Sequence, residues 1–174
     1  MKSLSFPQIH ELADVEKRTN MPLIIFFTLF SCLGIALVVY SSSNPDTGLG
    51  MTGLFVGVAI IIANLVGIIA KNKQWVYIPT YSPLYRESVE MDVSDLNSLR
   101  RQLGEIAPEM ENVYSDADKG RIMLDSIYSK DGGFAAFQIS QYTSLMYTPI
   151  MEICCLEGGK ASEYVKLLKK ELTK

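Results

Sequence analysis

The chain has 174 residues, a formal net charge of -3 and 48% hydrophobic residues, a length that suits one small domain and something besides. Charged side chains make up 20% of it and nearly vanish between residues 22 and 70, where Asp46 stands alone; that excludes an ordinary soluble globule. One histidine and three cysteines exclude a disulfide scaffold and an evident zinc protein, and the acidic balance argues against nucleic-acid binding.

Residues 1–20 read as a cytoplasmic juxtamembrane segment. Ser5 and Gln8 stand at capping-box spacing, Pro7 comes early, and Ile9, Leu12 and Ala13 share one side, so a helix is expected over residues 5–18, lying at the membrane surface. His10 has no ligand partners at metal spacing and reads as a solvent-facing residue.

Residues 21–40 carry no charge, and twelve of the twenty are Leu, Ile, Val or Phe. At 1.5 Å per residue they span about 30 Å of hydrocarbon, and their side chains favour insertion by about 4–7 kcal/mol. Residues 51–70 repeat the pattern with eleven such side chains. Two transmembrane helices are expected, since backbone groups in lipid must be satisfied within the segment. No small-x-small cleavage site follows the first run, so a cleaved signal is not expected. The linker at 41–50 is rich in turn formers and lacks Lys and Arg, whereas Lys17, Arg18, Lys71 and Lys73 flank the spans. The positive-inside rule puts the linker outside and both termini in the cytoplasm.

In the second span Gly53, Gly57, Asn64 and Gly67 fall near one stripe, with a GxxxG pair at Gly53 and Gly57. In the first span Thr28, Cys32 and Ala36 form a row of small side chains that could receive it. Packing between the two spans is the plain expectation, and a homo-oligomer through the second span the sharper one. Transport is disfavoured because neither span holds a charged side chain.

Residues 71–174 are expected to form a cytoplasmic α+β domain. Trp75 and Tyr77 beside Lys71 and Lys73 suit a membrane interface. Strands are expected over residues 75–79 and 84–91. A helix capped by Ser94 follows, with Leu96, Leu99, Leu103 and Ile106 at helical spacing, and then an acidic loop over 107–119. Residues 121–129 and 134–143 flank the turn Lys130, Asp131, Gly132, Gly133 as a β-hairpin. A third strand is expected over 147–155, a break at Gly158 and Gly159, and a helix over 161–172. The order β-β-α-β-β-β-α predicts a mainly antiparallel sheet with two helices on one face.

Little here reads as catalytic. Cys154 and Cys155 point to opposite faces of a strand and lack a nearby imidazole; Asp116, Asp118, Asp125 and Asp131 lack the frame of a calcium loop. Lys166, Lys169, Lys170 and Lys174 suit a solvated helix end. No cofactor, metal or catalytic residue is assigned. Eight of nine tyrosines lie after residue 74, and Tyr81, Tyr85, Tyr142 and Tyr147 are expected to form one partner-docking face or edge.

The run KQWVYIPT at residues 73–80, with SKDG at 129–132 and FAAFQ at 134–138, resembles uncharacterised bacterial two-span membrane proteins. The resemblance implies a bacterial inner membrane and nothing about catalysis. The expected function is a non-enzymatic multi-pass protein that anchors a cytoplasmic interaction domain, an accessory or structural subunit of a membrane assembly. Its partners would be membrane lipids and other membrane or cytoplasmic subunits, with no nucleic acid. A membrane-tethered enzyme and a lipid-surface-binding protein are the alternatives.

Overall fold

Asn20 opens the first long helix, its side chain accepting the Leu23 N–H at 3.3 Å, and Pro22 occupies the first turn, where a missing N–H costs nothing. A computed structural model of the chain describes residues 3–44, 48–114, 120–143 and 145–172. The elements are α1 (Phe6–Leu12), β1 (Val15–Thr19), α2 (Met21–Ser43), α3 (Gly48–Lys71), β2 (Lys73–Tyr77), β3 (Ser82–Asp92), α4 (Leu96–Leu103), β4 (Arg121–Ser129), β5 (Phe134–Thr143), β6 (Met146–Pro149), β7 (Cys154–Glu157) and α5 (Gly158–Leu172). The class is α+β, as the alternation of patterns required.

The chain divides into two units. Lys17–Gln74 is one; the segments on either side of it, up to Glu16 and from Trp75, fold together as the other. The first unit is a helical hairpin of α2 and α3, each longer than the expected span. Residues 45–47 of the expected turn lie outside the described residues. The chain enters and leaves the hairpin side by side, with the Asn20 N–H donating to the Asn72 carbonyl at 2.7 Å.

The second unit is a sheet in the order β1-β2-β3-β4-β5-β6, with β7 also pairing β5. The pairs from β2 onward are antiparallel. Alternation along the strands divides their side chains between two cores. On one face Ile122, Leu124, Ala135, Phe137 and Ile139 pack with Leu96, Leu99 and Leu103 of α4 and Ala161, Tyr164, Val165 and Leu168 of α5. Phe137 stacks on Tyr164 at 4.8 Å. Both helices thus cover one face, as expected. The other face buries Tyr77, Leu84, Ile127, Phe134 and Ala136 beneath Leu4, Ile9 and Val15.

That second core corrects the reading of residues 5–18. The helix stops at Leu12, Ser5 makes no side-chain cap, and Ala13 is already extended. Val15 begins a strand instead, and the Ile78 N–H donates to the Asp14 carbonyl at 2.8 Å. The segment is anchored by the Leu4 N–H, which donates to the buried Gln138 Oε1 at 2.6 Å. It is part of the sheet domain rather than a free juxtamembrane helix.

Three smaller differences have local causes. The helix after β3 starts at Leu96 with Asp95 before it and no side-chain cap, Ser94 being taken into a 3-10 turn, Val93–Asp95. The first half of the acidic loop is another 3-10 turn, Pro108–Asn112. It is ordered by burial of Ala107, Met110 and Val113 and by Arg100, which donates to the Met110 carbonyl at 3.3 Å and to the Glu111 carbonyl at 2.5 Å. The strand expected over 147–155 is two strands, because β5 pairs Ser140 with Pro149 but Phe137 with Cys154, and the extra residues must leave the ladder.

The β4–β5 hairpin forms as expected, with Gly132 at φ +75°, a conformation that glycine adopts without strain. Beside it, burial pushes the Asp131 carboxyl up, while hydrogen bonds from Ser129 and Thr80, the Gly133 N–H and Ser82 together pull harder the other way, to about 2. A depressed carboxyl stabilises the fold above its unfolded value near 3.8 and loses that contribution as pH falls toward 2. Asp131→Asn should therefore be less stable than the parent at pH 6, and the gap should close over the window from 3.8 down to about 2. Urea midpoints measured across that range check it; a gap independent of pH would contradict the assignment.

Candidate functional site

The hairpin interface is built on glycine. A Cβ placed on Gly57 would lie 2.8 Å from the Gly34 carbonyl oxygen and 2.8 Å from Val38 Cγ2, so the two helices touch backbone to backbone there. Gly53 faces the Ser41 hydroxyl, and Gly67 faces the Phe27 ring, 2.7 Å from where its Cβ would stand. Asn64 is buried while its neighbours Ala63 and Leu65 are exposed. The row Gly53, Gly57, Gly67 is thus turned to α2.

The α2 side of the contact is not the expected row. Thr28, Cys32 and Ala36 are exposed, and Thr28 Oγ1 donates to its own helix at Ile24 O, 2.8 Å away. Phe27, Gly34, Val38 and Ser41 occupy the interface instead. Counting small side chains misled because two of the contacts set a large side chain into a gap, Phe27 against Gly67 and Val38 against Gly57. Knobs need holes, and only one partner has to be small.

The four tyrosines do not share a surface. Tyr85 pairs in register with Tyr128, which pairs with Ala135, so all three lie on the helix-covered face. Tyr142 is seven residues further along β5, an odd count that places it on the opposite face and roughly 23 Å away. Tyr81 sits near Tyr85 in the β2–β3 turn at φ +53°. Tyr142 and Tyr147 form a T-shaped pair with centroids 5.2 Å apart, and the Tyr147 hydroxyl donates to Glu90 Oε1 at 2.6 Å. Glu90 also accepts from Arg121 at 3.0 Å; these two hydrogen bonds, Tyr147 first, lower its carboxyl pKa.

Cys154 is buried and Cys155 exposed, as alternation in a strand requires. Burial, with Glu109 beside it, pushes the Cys154 thiol up to about 12, so it is a neutral donor near pH 7 and a poor nucleophile. Partial desolvation by the surrounding chain, with Glu157 beside it, also raises the Cys155 thiol. Among the described residues no group of three His, Cys, Asp or Glu side chains is placed to hold a metal. His10 is tied to its own segment, its Nδ1 2.5 Å from the Val15 carbonyl oxygen. Asp125 is buried and accepts from Ser88 and from Arg86, a structural pairing across β3 and β4. Asp116, Asp118 and Lys174 lie outside the described residues.

A cleft of about 450 Å³ is lined by Glu109, Asn112, Val113 and residues 150–155. Sequence reasoning missed it, because its walls come from a supposed loop and a supposed continuous strand. No protein-family model matches the chain, and neither a curated protein nor a solved structure matches it.

Proposed function

We propose that the chain is a multi-pass protein of a bacterial inner membrane that crosses the bilayer twice and anchors its α+β domain in the cytoplasm, as an accessory or structural subunit of a membrane assembly. The observation that carries this reading is the hairpin's outer surface. Both helices are long and apolar enough to cross a membrane, yet only 6% of the apolar window of α2 and 11% of that of α3 is buried. Leu29 is 66% exposed and Ile69 76%. A core helix of a soluble protein buries such side chains, and apolar exposure of this extent marks an interaction with lipid or protein.

Support for the orientation comes from charge. Lys17, Arg18, Lys71 and Lys73 lie where the chain enters and leaves the hairpin, and the linker at its far end has no base. Entry and exit are adjacent at Asn20 and Asn72, so a hairpin that spans must leave both flanking segments on one side. Co-folding of those segments into one unit makes the same demand.

Two single-cysteine forms, with the native cysteines replaced, test the topology. A membrane-impermeant maleimide added to intact cells should label Ser42→Cys and leave Lys130→Cys unlabelled until the cells are lysed. Labelling in the reverse order would overturn the orientation, and release of the protein by alkaline carbonate would overturn the spans.

A further inference from the structure

The interrupted strand makes a cleft. Between its pairings with Cys154 and Pro149, β5 runs from Phe137 to Ser140 while the partner chain takes two residues more, and a bulge of this kind bends the strand and re-aims its side chains. Residues 150–153, which join β6 to β7, form one wall of the cleft, and the 3-10 turn carrying Glu109 and Asn112 forms the other.

The displaced wall is fixed in place. Gln138, only 1% exposed, donates through Nε2 to the Met151 carbonyl at 3.1 Å while its Oε1 accepts the Leu4 N–H. A buried amide satisfied at both ends holds the bulge in one geometry. The cleft is therefore preorganised, which lowers the cost of binding.

Its lining has a definite chemistry. Half-buried Ile150 and Ile153 give an apolar surface with Val113 and Met151 beneath it, Glu109 and Glu152 bring two carboxylates, and among the described residues no Lys or Arg lines it. Glu109 accepts from the Cys154 thiol at 3.7 Å, a weak donor that leaves the carboxylate open to a stronger one. Lys160 acts on the Cys154 thiol electrostatically from outside the lining. The volume of about 450 Å³ lies in the range of small-ligand sites.

We infer that this cleft binds a cation carried on an apolar stem: an alkylguanidinium or alkylammonium group, supplied by a small amine or by an Arg or Lys side chain of a peptide. The charged head sits against Glu109 and Glu152, and the stem lies along Ile150 and Ile153, the half-buried apolar side chains of the lining. Such a cleft works equally whether or not the hairpin crosses a bilayer.

The test uses the full chain in nonionic detergent with labelled Ile and Met methyl groups. Butylguanidinium should shift the Ile150, Met151 and Ile153 methyl signals saturably, and the neutral isostere butylurea should not. In Glu109→Gln/Glu152→Gln the affinity for butylguanidinium should fall about tenfold or more, the loss expected for charge-assisted hydrogen bonds. The buried Ile122 and Ile139 methyls should stay in place, which shows the variant is folded. A capped Ala-Arg-Leu tripeptide that binds more tightly than butylguanidinium identifies a peptide side chain as the source; equal or weaker binding identifies a free amine. Equal shifts with butylurea, affinity unchanged in the double variant, or absence of saturation would overturn the inference.

Discussion

Ile9→Ala should destabilise the sheet domain by about 2–5 kcal/mol, the cost of emptying a fully buried site that cannot collapse, although Ile9 is separated in sequence from β2–β7 by the whole apolar hairpin. Ile9 has no exposed surface and packs in one cluster with Leu4, Val15, Tyr77, Leu84, Ile127, Phe134 and Ala136. The single tryptophan is a convenient reporter, because Trp75 stacks on Phe6 of the same helix with centroids 5.7 Å apart. Its fluorescence during denaturant unfolding should show a lower midpoint for Ile9→Ala. Leu12→Ala, at an exposed position of α1, should stay within about 0.5 kcal/mol of the parent. Equal effects of the two substitutions would show that the segment is not part of the domain.

A destabilisation of that size matters because domains of this length hold only about 5–15 kcal/mol in total. It would also couple the segment to the cleft, since Gln138 links Leu4 to Met151. Loss of the N-terminal contact leaves Gln138 Oε1 without the Leu4 donor and loosens the wall that Met151 belongs to.

How much of this was legible in the sequence depends on the range of the signal. The two apolar helices follow from composition alone, and the β4–β5 hairpin from a four-residue turn between alternating runs. The helix with Leu96, Leu99 and Leu103 follows from a 3.6-residue period. All of these are local. Leu4, Ile9 and Val15 show no common period because each lies in a different local structure, an extended lead, a short helix and a strand, and their shared burial is set by contacts with residues on the far side of the apolar hairpin in sequence. The tyrosines failed for a different reason: which face a residue takes is a matter of odd or even count along a strand, and the register that fixes the count is not written in any one strand. The cleft was invisible because the two residues that bulge out are extra only relative to β5.

Gly57→Ile should part the two long helices, at a cost of about 1–3 kcal/mol from overpacking. The first carbon added at Gly57 meets the Gly34 carbonyl oxygen at 2.8 Å, and that oxygen belongs to a helical backbone that cannot yield locally. The β-branch of isoleucine then adds bulk toward Val38, which is equally close. Gly53→Ala should be milder, because its added carbon meets the Ser41 hydroxyl; Ser41→Ala removes that obstacle and should restore the packing. Spin labels on Thr28→Cys and Ala63→Cys, both exposed positions, in a background without native cysteines, report the separation in detergent. Distances should lengthen and broaden in Gly57→Ile. They should hold in Gly48→Ala, where a Cβ meets nothing within 4 Å, and in Cys32→Ile, whose side chain faces away from α3. If Cys32→Ile widened the pair as much as Gly57→Ile, the contact between the helices would run along the other face of α2, and the fit of Phe27 into the gap at Gly67 would have to be given up with it.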